Sequence, residues 1–449
     1  MTSAFSKIIQ RLTSDQKFSE ILTGSAVAMV ARALAALLAL VTSIIVARLY
    51  GAEMTGILAM VNSLLMITTI FTVLGTNTSI LRLIPEYTAK YSTTSAFRVY
   101  RKTQYLVVGM SIVTGGLLFL SSSLVAGKVF SKPHFSFYIA LASGFVVFKS
   151  LMDLNTQAVR GIRLIKTFAF MQILPFLVML LVLIAETVLS PNRNNPVYAQ
   201  LAAWAVTAVV GAWIVDRAFG KKMHPDDAVQ TMSLREILSI SLPMLMTASM
   251  VFAMGQIGVI LLGIFRTEGE VGYYSVAVRL ASLTAFFLQA INTIAAPKFS
   301  ELFHTGKMDE LFYVARKSAR LIFWATAPIL LTLIAFGRQI LGLLFGKEFA
   351  VAYLAMVFLV LGQFVNSASG STANFMNMTG HQIIFNKIVL VAAVINVALS
   401  LMLIRDFGIN GVAFSAMTSL ILWNLLTLVY VRRKFGRSIG YFPLISKRA

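Results

Sequence analysis

Three basic residues, Arg32, Lys149 and Arg279, stand inside long apolar runs of the chain. An Arg or Lys at the centre of a membrane helix costs at least about 2.5 to 3.5 kcal/mol on insertion scales. Each therefore needs a counter-charge, a water-filled cavity or a route to the interface. Arg32 lies about ten residues into its run, roughly 15 Å deep at a rise of about 1.5 Å per residue, which is too deep for easy snorkelling. Its helical neighbours Ala28, Met29, Ala35 and Ala36 are mostly small, leaving room for a ligand or for a closely packed helix. Arg279, about eight residues into its own run, faces the same choice. Lys149 differs because Asp153 follows four residues later on the same helix face, so a local ion pair competes with a ligand contact. Asp153 is also the intramembrane acid best placed to exchange a proton or a sodium ion, although a plain counter-ion role fits the spacing equally; Glu186 and Asp216 fall near span ends.

Polar side chains without charge form a second group. Asn77 and Asn292 lie deep in their runs, and the segment holding Gln363, Asn366, Ser367, Ser369, Ser371, Thr372, Asn374 and Asn377 is too polar to face lipid. It either offers amides and hydroxyls to sugars or is an unwound helix end. Trp204, Trp213, Trp324 and Trp423 suit interface anchoring or stacking on sugar faces. No cysteine is present, which excludes disulfides, thiolate catalysis and Cys-based metal sites. The four histidines, His134, His224, His304 and His381, have no second ligand at metal-binding spacing, so no metal site is assigned. No GxxxxGK[ST] phosphate loop occurs, so the chain does not hydrolyse ATP by that means.

The elements that must position these residues are membrane helices. The chain is 58% hydrophobic and 12% charged, about half the charge of an ordinary soluble domain. Apolar runs near 22–47, 56–81, 104–126, 135–157, 167–189, 198–216, 236–264, 271–296, 320–345, 350–371, 383–404 and 411–431 are each long enough to cross a core of about 30 Å. The first is too long for a cleavable signal and is expected to remain as a helix. With the N-terminus inside, alternate segments carry 27 Lys and Arg against 8 on the other face, which predicts two cytoplasmic termini and an even number of spans in the cell membrane. The same division accounts for most of the +21 net charge without invoking nucleic acid. Outer connections are short, and longer cytoplasmic loops are expected at 85–103, 217–235 and 297–317. Starting in the last of these, Met308 to Arg320 reads as an amphipathic helix on the inner membrane surface.

The chain also looks like itself. Ile45 to Gly56, which holds Arg48-Leu49-Tyr50-Gly51, can be laid on Leu261 to Gly272, with Gly56 falling on Gly272. Each copy runs on to a deep asparagine, Asn77 or Asn292, and to a proline, Pro85 or Pro297. Six spans per half make this a parallel repeat, with a substrate path expected between bundles 1–222 and 223–449. The R-x-x-G-x-x-x-x-G turn at Arg48 resembles that of the polysaccharide-transport (Wzx-type) flippases of the multidrug/oligosaccharidyl-lipid/polysaccharide exporter superfamily. So do Gln157 to Gly161, Leu344 to Phe349, and Asn396 with Leu403 to Ala413. The resemblance implies two six-helix bundles around a V-shaped central cavity, alternating access, and an oligosaccharide carried on a polyprenyl diphosphate.

The expectation is thus an all-α polytopic membrane protein of about twelve helices that flips lipid-linked oligosaccharide to the outer leaflet. It is expected to work as a monomer, without catalysis or cofactor beyond H+ or Na+ coupling. Candidate substrate contacts are Arg32, Lys149, Arg279, Asn77, Asn292 and Asn366; the candidate coupling residue is Asp153. A guanidinium fork suits a diphosphate crossing a region of low dielectric. A cation-coupled drug exporter of the same superfamily is the nearest rival. A membrane glycosyltransferase or polymerase is a more distant one, since the outer connections are too short for a catalytic loop.

Overall fold

The computed structural model describes residues 16–221, 223 and 229–443; Lys7, Arg11, Lys222, His224, Lys447 and Arg448 lie outside them. Its helices are α1 (Gln16–Val73), α2 (Thr76–Lys90), α3 (Thr93–Leu120), α4 (Phe135–Ser143), α5 (Val146–Gly161), α6 (Ile165–Leu189) and α7 (Asn195–Gly220). There follow α8 (Leu234–Phe265), α9 (Glu268–Leu283), α10 (Ala285–His304), α11 (Met308–Leu344), α12 (Tyr353–Ser369), α13 (Thr372–Met378) and α14 (Gln382–Phe435). Among the described residues seven helices are long and apolar enough to cross a bilayer, or nine if the bent pairs α4–α5 and α9–α10 each count as one span. Large apolar side chains such as Leu120, Leu189, Leu343 and Met402 are more than 70% exposed, a surface suited to lipid rather than water. The chain is an all-α, multi-pass membrane protein.

Two of the long helices are hairpins. In α1 the chain turns at Gly51, φ 76°, a left-handed conformation that glycine adopts without the steric cost of a Cβ. Val46 and Thr55, and Ala39 and Asn62, line one cavity, so the two limbs run back along each other. In α14 the turn is at Gly408, φ 51°, and Ser419 Oγ donates to the Ala392 carbonyl at 2.9 Å across the limbs. Between α8 and α9 a different chemistry makes the reversal. Thr267 caps α9 and Glu270 reaches back to the Thr267 N–H, so a capping box restarts the helix where the first copy uses glycine. The twelve apolar runs are mainly helical, but 56–81 is broken at Leu74–Gly75 and 350–371 runs into the break at Gly370.

Three local expectations are corrected. Met308 to Arg320 is the first part of the unbroken α11, not a separate surface helix. Its apolar face, Leu311, Phe312, Ala315 and Ala319, is buried, the first three in a cluster with Phe375 and Val431, so packing rather than the membrane surface takes the amphipathic stripe. The loops expected at 85–103 and 297–317 are helical except at Tyr91–Ser92 and at Thr305 to Lys307. Pro85 and Pro297 sit inside α2 and α10, tolerated where neighbouring helices hold the backbone. The polar stretch after α12 is a true break. Gly370 has φ 73°, and a Cβ there would stand 2.5 Å from the Cβ of Ala319. Asn424 bridges the break from α14, donating to Asn366 Oδ1 at 3.2 Å and accepting from Thr372 at 3.1 Å.

Candidate functional site

All the hairpin turns at the Gly51 end are tied to one another by polar groups. The Arg48 guanidinium donates to the Leu343 and Leu344 carbonyls at the end of α11, and Glu348 accepts the Ala52 N–H at 3.1 Å. Lys132 donates to the Gly263 and Arg266 carbonyls at 2.6 Å each, while His134 meets Glu268 at 2.9 Å. Burial lowers the affinity of the Lys132 ammonium for its proton, opposed by the Glu268 and Glu270 carboxylates. Arg266 in turn donates to the Ile404 and Arg405 carbonyls before Gly408. These cations satisfy helix C-terminal carbonyls that otherwise lack partners. They also join the first half of the chain to the second at two places, Arg48 to α11 and Lys132 to α8.

Between those two ties the backbones touch. A Cβ on Gly56 would stand 1.7 Å from the Glu268 carbonyl oxygen, and one on Gly272 would stand 2.1 Å from the Ala52 carbonyl oxygen. The two glycines aligned by the internal repeat thus face each other across the joint between halves. At the opposite end a Cβ on Gly75 would stand 2.3 Å from the Ser241 carbonyl oxygen, Ser79 and Ser241 share a hydroxyl contact of 2.6 Å, and Arg32 Nη1 donates to Gln289 Oε1 at 3.2 Å.

Between these closures lies a cavity of about 240 Å³, lined from both halves of the chain. Its walls offer hydroxyls from Thr42, Ser43 and Ser275 and amides from Asn62, Gln200 and Gln256; Ser63 Oγ donates to Gln256 Oε1 at 2.7 Å across the joint. Arg279 is its one cation, and no carboxylate lines it among the described residues. Arg279 Nη1 donates to the Ala39 carbonyl at 2.6 Å. That bond fixes the side chain from the facing half while using only part of a fork of five N–H donors. The volume is below the range of about 300 to 1,000 Å³ usual for ligand pockets, so an oligosaccharide requires the halves to part.

The residues flagged in the sequence are distributed over three places. Arg279 lines the cavity; Arg32 lies on an exposed face of α1 against Gln289 and does not line it. Lys149, 7% exposed, pairs with Asp153 at 2.5 Å, and both line a second cavity of about 130 Å³ with Asn77 and Ser249. Asn292 Oδ1 is buried with no hydrogen-bond partner among the described residues, and Asn366 is held between Gln363 and Asn424. The amides of Asn62, Gln200 and Gln256 were passed over in the sequence. The signal that marks Asn77, a lone amide inside an apolar run, marks them too.

The pairing of Lys149 yields a prediction. Asp153→Asn leaves a buried ammonium without its counter-charge and is expected to cost about 3 to 5 kcal/mol, read as less inserted protein and a lower unfolding midpoint. The double variant Lys149→Met, Asp153→Leu, which removes both charges, is expected to recover most of that loss. An unchanged midpoint for Asp153→Asn would show that the pair carries no structural load.

The fold is shared with known transporters. The fold matches "Lipid II flippase MurJ, inward closed conformation", with a TM-score of 0.73 at 13% identity over 92% of this chain and 87% of that one. It also matches an inward-facing multidrug resistance MATE family transporter of the MOP superfamily, with a TM-score of 0.71 at 15% identity over 91% and 98% of the two chains. Among curated relatives, the chain is 26% identical over 176 residues to a probable low-salt glycan biosynthesis flippase, Agl15 of Haloferax volcanii, covering 38% of this chain and 37% of that protein. It is 22% identical over 209 residues to the capsular polysaccharide biosynthesis protein CapF of Staphylococcus aureus, covering 46% and 52%. The chain thus spans about half or less of the length of these relatives. Residues 21–303, more than half of the chain, match the family described as polysaccharide biosynthesis protein. With the helical architecture and the family match in agreement, the chain belongs to the polysaccharide biosynthesis protein family.

Proposed function

We propose that this protein carries polyprenyl-diphosphate-linked oligosaccharide from the cytoplasmic to the outer leaflet of the cell membrane by alternating access. The observation that carries the reading is the cavity between the halves: one half-buried cation, Arg279, surrounded by amides and hydroxyls, with no carboxylate among the described lining residues. Such a wall complements an anion bearing sugars. A cationic drug would leave the guanidinium opposed to it and find no counter-charge. The similarities to a glycan flippase and to a lipid II flippase support the same reading.

In this reading residues 1–222 and 223–449 are the two moving halves of a functional monomer, both termini lie in the cytoplasm, and the Gly51 end is the outer one. Excess Lys and Arg on the opposite segments support that orientation. Asp153, beside Asn77 in the small cavity at the inner end, is the site of H+ or Na+ coupling. The charge-free double variant at Lys149 and Asp153 is then expected to insert normally and to lose its response to an imposed gradient. Normal gradient response in that variant would return Asp153 to the role of counter-ion.

The decisive experiment places the purified protein in vesicles containing a fluorescent lipid-linked oligosaccharide and follows its exposure to an external glycosidase. Transfer faster than in protein-free vesicles is expected, with no uptake of a cationic dye. Dye transport without sugar transfer would favour the drug exporter.

A further inference from the structure

The end of the molecule opposite the Gly51 turn carries a charged face that the central cavity does not use. Helix α11 has 37 residues, about 55 Å at a rise of about 1.5 Å per residue, whereas a hydrocarbon core is about 30 Å thick. Its far end, Leu344, is tied to the Gly51 turn through Arg48, and about 30 Å of helix counted back from there reaches Trp324. The residues before Trp324 therefore stand at the level of the lipid headgroups. One face is exposed there at helical spacing: Tyr313, Arg316, Lys317, Arg320, Leu321 and Trp324. It lies opposite the buried stripe of Leu311, Phe312 and Ala315, and it continues towards the membrane centre as exposed Leu331 and Ala335.

Arg316, Lys317 and Arg320 have no carboxylate partner among the described residues, because the acids of the first turn are taken, Asp309 by Arg437 and Glu310 by Lys307. Aromatic rings and the end of the chain hold them instead. Lys317 Nζ stands 5.3 Å from the centre of the Tyr313 ring, and Arg320 Cζ stands 5.6 Å from that of Tyr441. The segment bearing Tyr441 leaves α14 at Gly436, φ 70°, and returns along α11. Arg316 donates to the Ser438 carbonyl at 3.4 Å, and Trp324 Nε1 donates to the Tyr441 hydroxyl at 3.4 Å. The Tyr441 N–H donates to the Ala368 carbonyl at 2.8 Å, near the end of α12 and its break at Gly370.

We propose that this face, with the end of the chain folded beside it, binds the headgroup of an anionic phospholipid in the leaflet opposite the Gly51 end, whatever substrate the cavity carries. Three cations on one helix face with no acid among them complement a phosphodiester. The lipid phosphate meets these cations, and its acyl chains run down from Leu321 and Trp324 along Leu331. A free anion would leave that apolar continuation unused. Arg320 offers a planar fork already held over a ring, so little side-chain freedom is lost on binding. Trp324 lies at the boundary between core and headgroups, where an indole is favoured. Because Arg316 also holds Ser438, a bound headgroup keeps the segment to Tyr441 against α11, and with it the bond that caps the Ala368 carbonyl.

The purified full-length chain is equilibrated in detergent with equal amounts of phosphatidylglycerol and phosphatidylcholine, and the retained lipids are counted by mass spectrometry. The native protein is expected to favour phosphatidylglycerol by about fivefold or more, the effect of a single well-placed cation at an anionic surface. Arg316→Gln, Lys317→Gln and Arg320→Gln together are expected to lose most of that preference. Arg432→Gln, Arg433→Gln and Lys434→Gln, which remove the same charge from the exposed end of α14, are expected to keep it. In the native protein, phosphatidylglycerol carrying a diazirine near its glycerol is expected to label the peptide around Leu321 to Trp324 more than matched phosphatidylcholine does. Equal losses in the two triple variants would reduce the preference to net charge and overturn the site. Native preference in the α11 variant, or equal labelling by the two lipids, would overturn it as well. Displacement of the lipid by inorganic phosphate would assign the face to a free anion instead.

Discussion

Replacing Arg279 with Gln is expected to lower transport of lipid-linked oligosaccharide, per correctly inserted molecule, by about 10- to 100-fold. A hydrogen bond to a charged group is worth about 1.5 to 3 kcal/mol, and the guanidinium is the one cation among the described residues of the cavity wall. Arg279→Lys keeps the charge but not the planar fork, so it is expected to retain an intermediate rate. Arg32→Gln provides the contrast. Arg32 is exposed and bridges to Gln289 outside the cavity, so its replacement removes no charge from the cavity wall and less than a threefold effect per inserted molecule is expected. Normalising to inserted protein is essential, because Arg279 also satisfies the Ala39 carbonyl and its loss is expected to lower yield. Native specific activity in Arg279→Gln would remove the cationic-cavity mechanism and leave the fold untouched.

The other large effect is expected at the glycine joint. Gly56→Ala puts a Cβ 1.7 Å from a backbone carbonyl oxygen that no rotamer change can move, so the limb of α1 after Gly51 and the start of α9 must separate by more than an ångström. A well-packed joint does not stretch continuously, so the outer closure is expected to open and transport to fall at least tenfold. Gly272→Ala makes the same wedge from the facing helix, 2.1 Å from the Ala52 carbonyl oxygen, and is expected to behave alike. Because the chain has no cysteine, a single Ser43→Cys placed in the cavity reports the opening directly. Its reaction with a membrane-impermeant maleimide from outside is expected to be slow in the native background and fast with either alanine. Gly116→Ala is the control, since nothing lies within 4 Å of its added carbon, and it is expected to leave both labelling and transport unchanged. Slow labelling in both wedge variants would show that the glycine joint is not the closure.

The sequence was most informative where periodicity and length suffice. Twelve apolar runs, the pairing of Lys149 with Asp153 and the alignment of Gly56 with Gly272 follow from spacing along one helix or from repetition along one chain. It misled where a face had to choose its partner. The stripe of Leu311, Phe312 and Ala315 looks the same whether it meets lipid headgroups or other helices, and the fold chose helices. Arg32 and Arg279 were indistinguishable by depth, yet one faces the cavity and the other does not, because a helix presents a given residue to only one side and neighbouring helices decide what stands there.

By itself, then, the sequence determined an all-helical membrane chain, its repeat, and the presence of basic residues that need special surroundings, since these depend on composition and on the period of a single helix. Only the tertiary structure decided that Arg279 meets Asn62, Gln200 and Gln256 around one cavity and that the repeated glycines close one end of it. Those residues lie far apart along the chain. Their meeting depends on which helix faces pack together, a property of contacts between segments that no local pattern encodes.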